Sequence, residues 1–111
     1  MGRQGLGELE LLVLLAVARL GDTQAYAVSV ADEIREQTGR PVQRATVYVT
    51  LQRLENKGLL SSRLGDPLPE RGGKPRRYVR LEDAGLRALR DTRRVFRSMW
   101  NGLDTLLEVP S

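Results

Sequence analysis

From residue 65 to residue 75 the chain reads Gly-Asp-Pro-Leu-Pro-Glu-Arg-Gly-Gly-Lys-Pro, a run so dense in turn formers that neither a helix nor a strand can cross it. The segments on either side, Leu59 to Leu64 and Arg76 to Leu81, have the length and partial alternation of strands. They are therefore expected to pair as a hairpin with a long tip. Directly ahead of them a helix is expected from about Arg44 to Lys57, with Gln43 near its cap and Gly58 past its end. Helix, strand, arginine-rich turn and strand follow one another without a gap.

Two further helices are expected upstream. Leu6, Leu9, Leu12, Val13, Ala16, Val17 and Leu20 keep the i, i+3, i+4, i+7 spacing, and Gly21-Asp22 ends the run. Leu11, Leu14, Leu15 and Ala18 make the other side apolar as well, and a helix apolar nearly all round must be covered nearly all round. One domain of 111 residues can hardly do this alone, so the second face points to another copy of the chain. The second helix is expected from about Ala25 to Thr38, with Tyr26, Ala27, Val30, Ala31 and Ile34 inward and Gly39 past its end. Arg40-Pro41-Val42 then connects it to the third, which completes a helix-turn-helix whose second member would be the recognition helix, with the hairpin as a wing.

The basic charge lies in this same segment. Residues 40 to 81 carry ten Lys or Arg against three Asp or Glu, whereas the residues before them carry three and six, and those after them five of each. A positive stripe joined to a groove-sized helix is the electrostatic footprint of a duplex-DNA binder.

Angular placement at about 100° per residue separates the faces of the third helix. Val47, Thr50, Leu51 and Leu54 fall together as the buried stripe, and Ala45, Val49, Gln52 and Asn56 lie opposite, flanked by Tyr48 on one side and by Thr46 and Arg53 on the other. No acidic residue stands in the N-terminal half of that outer face, which suits approach to phosphates. Val49 and Ala45 are placed to pack on a thymine methyl, and Gln52 to read an adenine edge. The candidate DNA contacts on this helix are Gln43, Arg44, Ala45, Thr46, Tyr48, Val49, Gln52 and Arg53. Two readings stand for Tyr48 and Val49: DNA contact, or a half-buried packing tyrosine and an ordinary exposed valine. In the wing, Arg63, Arg71, Lys74, Arg76 and Arg77 are expected to grip backbone or reach an adjacent minor groove, adding affinity and salt dependence more than sequence choice. Arg80 reads as a solvated strand residue.

A last helix is expected from Glu82 or Asp83 to about Leu107. Leu86, Arg93, Trp100 and Leu107 recur every seven residues, as do Leu89, Phe96 and Leu103, forming a near-heptad seam with one polar member. The expected architecture is thus mainly α with a small β-wing: a winged helix-turn-helix over residues 1 to 81, and a long C-terminal dimerisation helix over 82 to 111 that packs with the partner's first helix. The expected interface is Leu9, Val13, Leu14 and Val17 from the first helix, and Leu86, Leu89, Arg93, Phe96, Trp100, Leu103 and Leu107 from the last.

Other classes are disfavoured. With no cysteine and no histidine, the chain has no disulfide, no Cys or His metal ligand, no thiol nucleophile and no imidazole base. Its carboxylates are scattered, so no catalytic residue, no metal and no cofactor is expected. The run Leu9 to Leu20 is too short and too interrupted by charge to span a bilayer, and a cytoplasmic protein is expected. The remaining alternative is a winged-helix protein-interaction module without DNA binding, which would have no need of the basic block.

These residues carry a resemblance. Leu6-Gly7-Glu8-Leu9-Glu10, Ala25-Tyr26, the stretch from Ala45 to Leu59, and Glu70-Arg71-Gly72-Gly73-Lys74-Pro75-Arg76-Arg77-Tyr78 resemble the PadR family of winged-helix transcriptional regulators, in its short form without a separate large C-terminal domain. The similarity spans residues 6 to 107. Thr-x-Tyr-x-x-Leu-x-x-Leu-x-x-x-Gly followed by Gly-Gly-x-x-x-x-Tyr is specific as a combination. The resemblance implies a homodimeric DNA-binding regulator, commonly a repressor, whose dimer is built by the first and last helices. It also implies that Tyr48 contacts the DNA backbone and that the wing tip grips phosphates. Ala45 stands where many members have glycine and Val49 where many have proline, departures that bear on base preference. In some drug-sensing relatives an interfacial aromatic pair sandwiches flat hydrophobic ligands. Phe96 and Trp100 are therefore either a site for a small hydrophobic effector or plain interface packing.

Overall fold

The computed structural model describes residues 5–67 and 72–108. Its elements are α1 (Glu8–Leu20), α2 (Ala27–Thr38), α3 (Arg44–Asn56), β1 (Leu60–Pro67), β2 (Pro75–Leu81), α4 (Asp83–Trp100) and a single-turn α5 (Asp104–Leu107). The two strands form an antiparallel hairpin with Leu60 opposite Leu81 and Leu64 opposite Arg77, followed by a register shift before Pro67 meets Pro75.

The core lies where α1, α2 and α3 meet the base of the hairpin. Val13, Leu14, Ala16 and Val17 of α1 pack with Val30, Ala31 and Ile34 of α2, Val47, Leu51 and Leu54 of α3, and Leu60 and Val79 of the strands. Each contributes through the period of its own element, about 3.6 in the helices and 2 in the strands. At the start of α1 the Glu10 carboxylate accepts the Gly7 N–H at 3.0 Å, one half of a capping box. Ser29 does the same for the Tyr26 N–H at the start of α2.

Close approach fixes how α4 leaves the wing. The Glu82 N–H bonds to the Leu59 carbonyl at 3.0 Å. Immediately after, a Cβ on Gly85 would lie 2.3 Å from that same Leu59 oxygen, so only glycine lets the helix sit there. Leu89 then rests against the core, and from Arg93 to Trp100 the helix is exposed on every side. The radius of gyration, 16.2 Å, exceeds the roughly 13 Å of a compact chain this long, as a projecting helix requires.

The expected extents need corrections. The last helix ends at Trp100 and not near Leu107, because Asn101-Gly102 turns the chain, with Gly102 at φ 86°. Leu103 and Leu107 therefore leave the heptad seam, Leu103 as the cap of α5 and Leu107 as its last residue. The strands reach further than expected, into Pro67 and back to Pro75. Tyr26 caps α2 from outside, half-buried against the wing, while Ala25 is fully buried. The largest correction concerns Val13, Leu14 and Val17, expected at a dimer interface. They are 0%, 0% and 1% exposed within the protomer, and a side chain already enclosed by its own core has no surface left for a partner.

Candidate DNA interface

The faces of α3 divide as its helical geometry requires. Val47, Thr50, Leu51 and Leu54 are buried, and the Thr50 hydroxyl is satisfied by the Thr46 carbonyl at 2.8 Å. Gln43, Arg44, Ala45, Thr46, Gln52 and Arg53 are exposed, together with Tyr48 at 45% and Val49 at 50%. The Gln52 side-chain amide donates to the Tyr48 hydroxyl at 3.2 Å, so these two outward groups form one polar unit one helical turn apart.

The wing stands beside this face because strand alternation sorts its residues. Ser62, Leu64, Arg77 and Val79 point toward α3, and the Arg77 guanidinium donates to the Ser62 hydroxyl at 3.0 Å, which in turn donates to Glu55 at 2.8 Å. Arg77 is thereby held over a shallow cavity of about 390 Å³ that it shares with Tyr48, Gln52, Glu55 and Asn56. Lys74 is exposed at the turn. Arg71 lies outside the described residues.

Arg63 and Arg76 do not line that cavity, although Arg76 lines an adjoining one of about 340 Å³ with Tyr26, Tyr48, Gln52 and Arg77. The Arg63 guanidinium sits 4.9 Å from the centre of the Tyr78 ring and donates to the Asp22 carbonyl at 3.1 Å. Arg76 lies 4.1 Å from the centre of the Tyr26 ring. Of the wing cations expected to work together, the structure brings Arg77 to the recognition helix and engages Arg63 and Arg76 with tyrosines. The signal was present: Arg76 and Arg77 are consecutive on a strand and must face opposite ways. Ser62 and Glu55, which hold Arg77, carried no sequence signal, since they meet only when the hairpin packs on α3.

Behind the interface, the C-terminal end of α3 is tied to α1. Lys57 donates to the buried Glu10 carboxylate at 2.8 Å. That bond from Lys57 holds the Glu10 carboxyl below its ordinary range despite burial, with a smaller contribution from the Gly7 N–H.

A second concave surface lies on the far side of α1. A groove of about 760 Å³ runs between α1 and α4, walled by Leu11, Leu15, Leu86, Leu89, Phe96 and Trp100 and edged by Glu8, Arg90 and Arg93. Phe96 and Trp100 are 52% and 63% exposed. Leu9, also expected at the dimer interface, does not line this groove and is half-buried against the core. Among the described residues no group of three or more acidic side chains is placed to hold a metal ion, and no helix is long and apolar enough to cross a membrane.

The comparisons with known proteins agree on one family. The transcriptional regulator PadR-like family model matches residues 14–91. A PadR family transcriptional regulator from Eggerthella lenta is 33% identical, with a TM-score of 0.68 over 93% of this chain and 88% of its own. A PadR family transcription regulator from Clostridium difficile superposes with a TM-score of 0.72 at 22% identity, over 92% of this chain and 100% of its own, and so speaks for the fold alone. Among curated proteins none matches the chain. With the family model covering most of its length and a relative one-third identical along nearly all of it, the chain belongs to the PadR-like family of transcriptional regulators, and it is a regulator with a winged-helix fold, not an enzyme.

Proposed function

We propose that the protein is a homodimeric repressor that binds a pseudo-palindromic operator in double-stranded DNA, with α3 of each protomer in the major groove and the wing on neighbouring phosphates. The observation that carries this reading is the outer face of α3, where every side chain from Gln43 to Thr46, and then Tyr48, Val49, Gln52 and Arg53, is exposed without an acidic residue among them. Arg77 flanks that face with positive charge, and Lys74 adds another cation at the exposed turn of the wing. Ala45, Val49 and Gln52 are the residues that choose bases, and Arg44, Tyr48, Arg53, Lys74 and Arg77 hold the backbone. Arg71 belongs with the latter by its charge.

The dimer rests on the groove between α1 and α4. Leu86, Leu89, Phe96 and Trp100 present an apolar surface that water does not favour, and a second copy covers it by symmetry. A small flat hydrophobic effector between Phe96 and Trp100 would release the DNA only by favouring one dimer geometry, since equal affinity for both shifts nothing. Acting on DNA, the protein works in the cytoplasm.

Selection from a random duplex library tests the reading. The wild type is expected to enrich two half-sites about one helical turn apart. Gln52→Ala is expected to relax the sequence at one position of each half-site at a cost of about 1 to 3 kcal/mol, while Tyr48→Ala with Lys74→Gln weakens binding to every sequence alike. Recovery of no enriched sequence would leave the protein-interaction alternative standing.

A further inference from the structure

Four residues of the wing, Arg63, Gly65, Arg76 and Tyr78, form a single stack with Tyr26 at the start of α2. Alternation places Arg63 and Gly65 of β1 beside Arg76 and Tyr78 of β2, with Arg63 directly opposite Tyr78. The Tyr26 ring, outside the first turn of α2, meets the Tyr78 ring edge-on at 5.7 Å. Arg76 covers Tyr26 at 4.1 Å and Arg63 covers Tyr78 at 4.9 Å. Gly65 makes room for this, since a Cβ there would lie 2.6 Å from the Tyr78 ring. The backbone joins in: the Val79 N–H bonds to the Ala25 carbonyl at 2.9 Å, and Arg63 bonds to the Asp22 carbonyl at 3.1 Å. The stretch from Asp22 to Tyr26 thus runs as a lane along the wing.

We infer that Arg63 and Arg76 are positioning residues, which hold the wing against the start of α2 through Tyr78 and Tyr26 and so set where Lys74 and Arg77 meet the DNA. This rests on the DNA-binding reading above. A guanidinium stacked on a ring keeps its charge but spends its planar face there, and the Arg76 Nε is shielded from solvent. Reaching a phosphate would mean stripping Arg76 from Tyr26. Arg77, one residue on, faces α3 and gives an N–H to Ser62, and no ring is stacked on it in the contacts that hold Arg63 and Arg76.

The test measures binding to a random-sequence duplex of about 30 base pairs between about 50 and 200 mM salt, where each phosphate contact contributes about 0.9 to the slope of log K against log salt. Lys74→Gln is expected to flatten the slope. Tyr26→Leu, Arg63→Lys and Arg76→Lys are each expected to weaken binding roughly three- to tenfold with the slope unchanged, because the first removes the ring, the other two replace a flat stacked guanidinium with a point-like ammonium, and none removes a charge. Tyr26→Phe keeps the ring and is expected to match the wild type. Arg76→Gln is expected to behave as Arg76→Lys does. If Arg76→Lys bound like the wild type, or Arg76→Gln flattened the slope as Lys74→Gln does, the inference would be overturned. Amide exchange at Val79 reads the same stack without DNA. It is expected to quicken in Tyr26→Leu and Arg76→Lys but not in Lys74→Gln, and equal exchange in all of them would overturn the inference. If the wild type failed to bind any duplex, the DNA reading would fall, and the Val79 exchange would still decide whether these residues position the wing.

Discussion

Glu10 and Lys57 link two parts of the molecule that serve different ends. Glu10 lies in the first turn of the helix that walls the α1/α4 groove, and Lys57 caps the helix proposed to face DNA. With Glu10 almost wholly buried, Lys57→Met leaves a carboxylate without its partner. The cost is expected to be about 1 to 2 kcal/mol, less than for a fully buried pair because Lys57 is two-fifths exposed to water. Since the folded Glu10 carboxyl is held below its unfolded range, the stability it contributes is complete above about pH 4.3. It is lost as the pH falls through the lower folded value. Urea midpoints of wild type and Glu10→Gln should therefore differ by a constant amount near neutrality and converge in acid, and a gap that persisted undiminished at low pH would contradict the pairing. Nothing in the sequence paired these residues, because they lie 47 positions apart and meet only through packing. Tyr48 and Val49 were legible for the opposite reason, since one helix's own geometry decides which way they point.

At the scale of elements, the junction of β2 and α4 carries the tightest contact. Gly85→Ala would push a Cβ to 2.3 Å from the Leu59 carbonyl, a backbone atom that cannot swing aside. A destabilisation of about 2 kcal/mol, with the midpoint of thermal unfolding lowered by roughly 10 °C, is expected. An unchanged midpoint would mean that α4 is not docked there. The helices of the core were read nearly to the residue because apolar spacing and the punctuation at Gly21, Gly39 and Gly58 agreed. The seam in α4 was read too far. Its sevenfold spacing continues in sequence through Leu103 and Leu107, but Asn101-Gly102 breaks the helix, and spacing has no meaning across a turn. Core and partner-facing sides of α1 were also confused at Val13, Leu14 and Val17, since a helix apolar on all sides does not say which stripe its own protomer takes. In the wing, charge alone grouped five cations, of which strand alternation separates Arg63 and Arg76 from Arg77.

For the whole molecule, the reading requires two copies acting together. Trp100 is the single tryptophan and is well exposed in the protomer, so it reports on whatever covers the groove. Its emission is expected to shift to longer wavelength on dilution as dimers part, and Trp100→Asp is expected to sediment as a protomer at all concentrations. Emission independent of concentration, with sedimentation as a single chain, would contradict the dimer. The most direct measurement is the salt dependence of wild-type binding to duplex DNA. If Arg44, Arg53, Arg71, Lys74 and Arg77 of each protomer meet phosphates, a dimer neutralises about ten of them, and log K should fall against log salt with a slope of about −9. A slope near zero, or no binding at about 50 mM salt, would contradict an interface built from α3 and the wing.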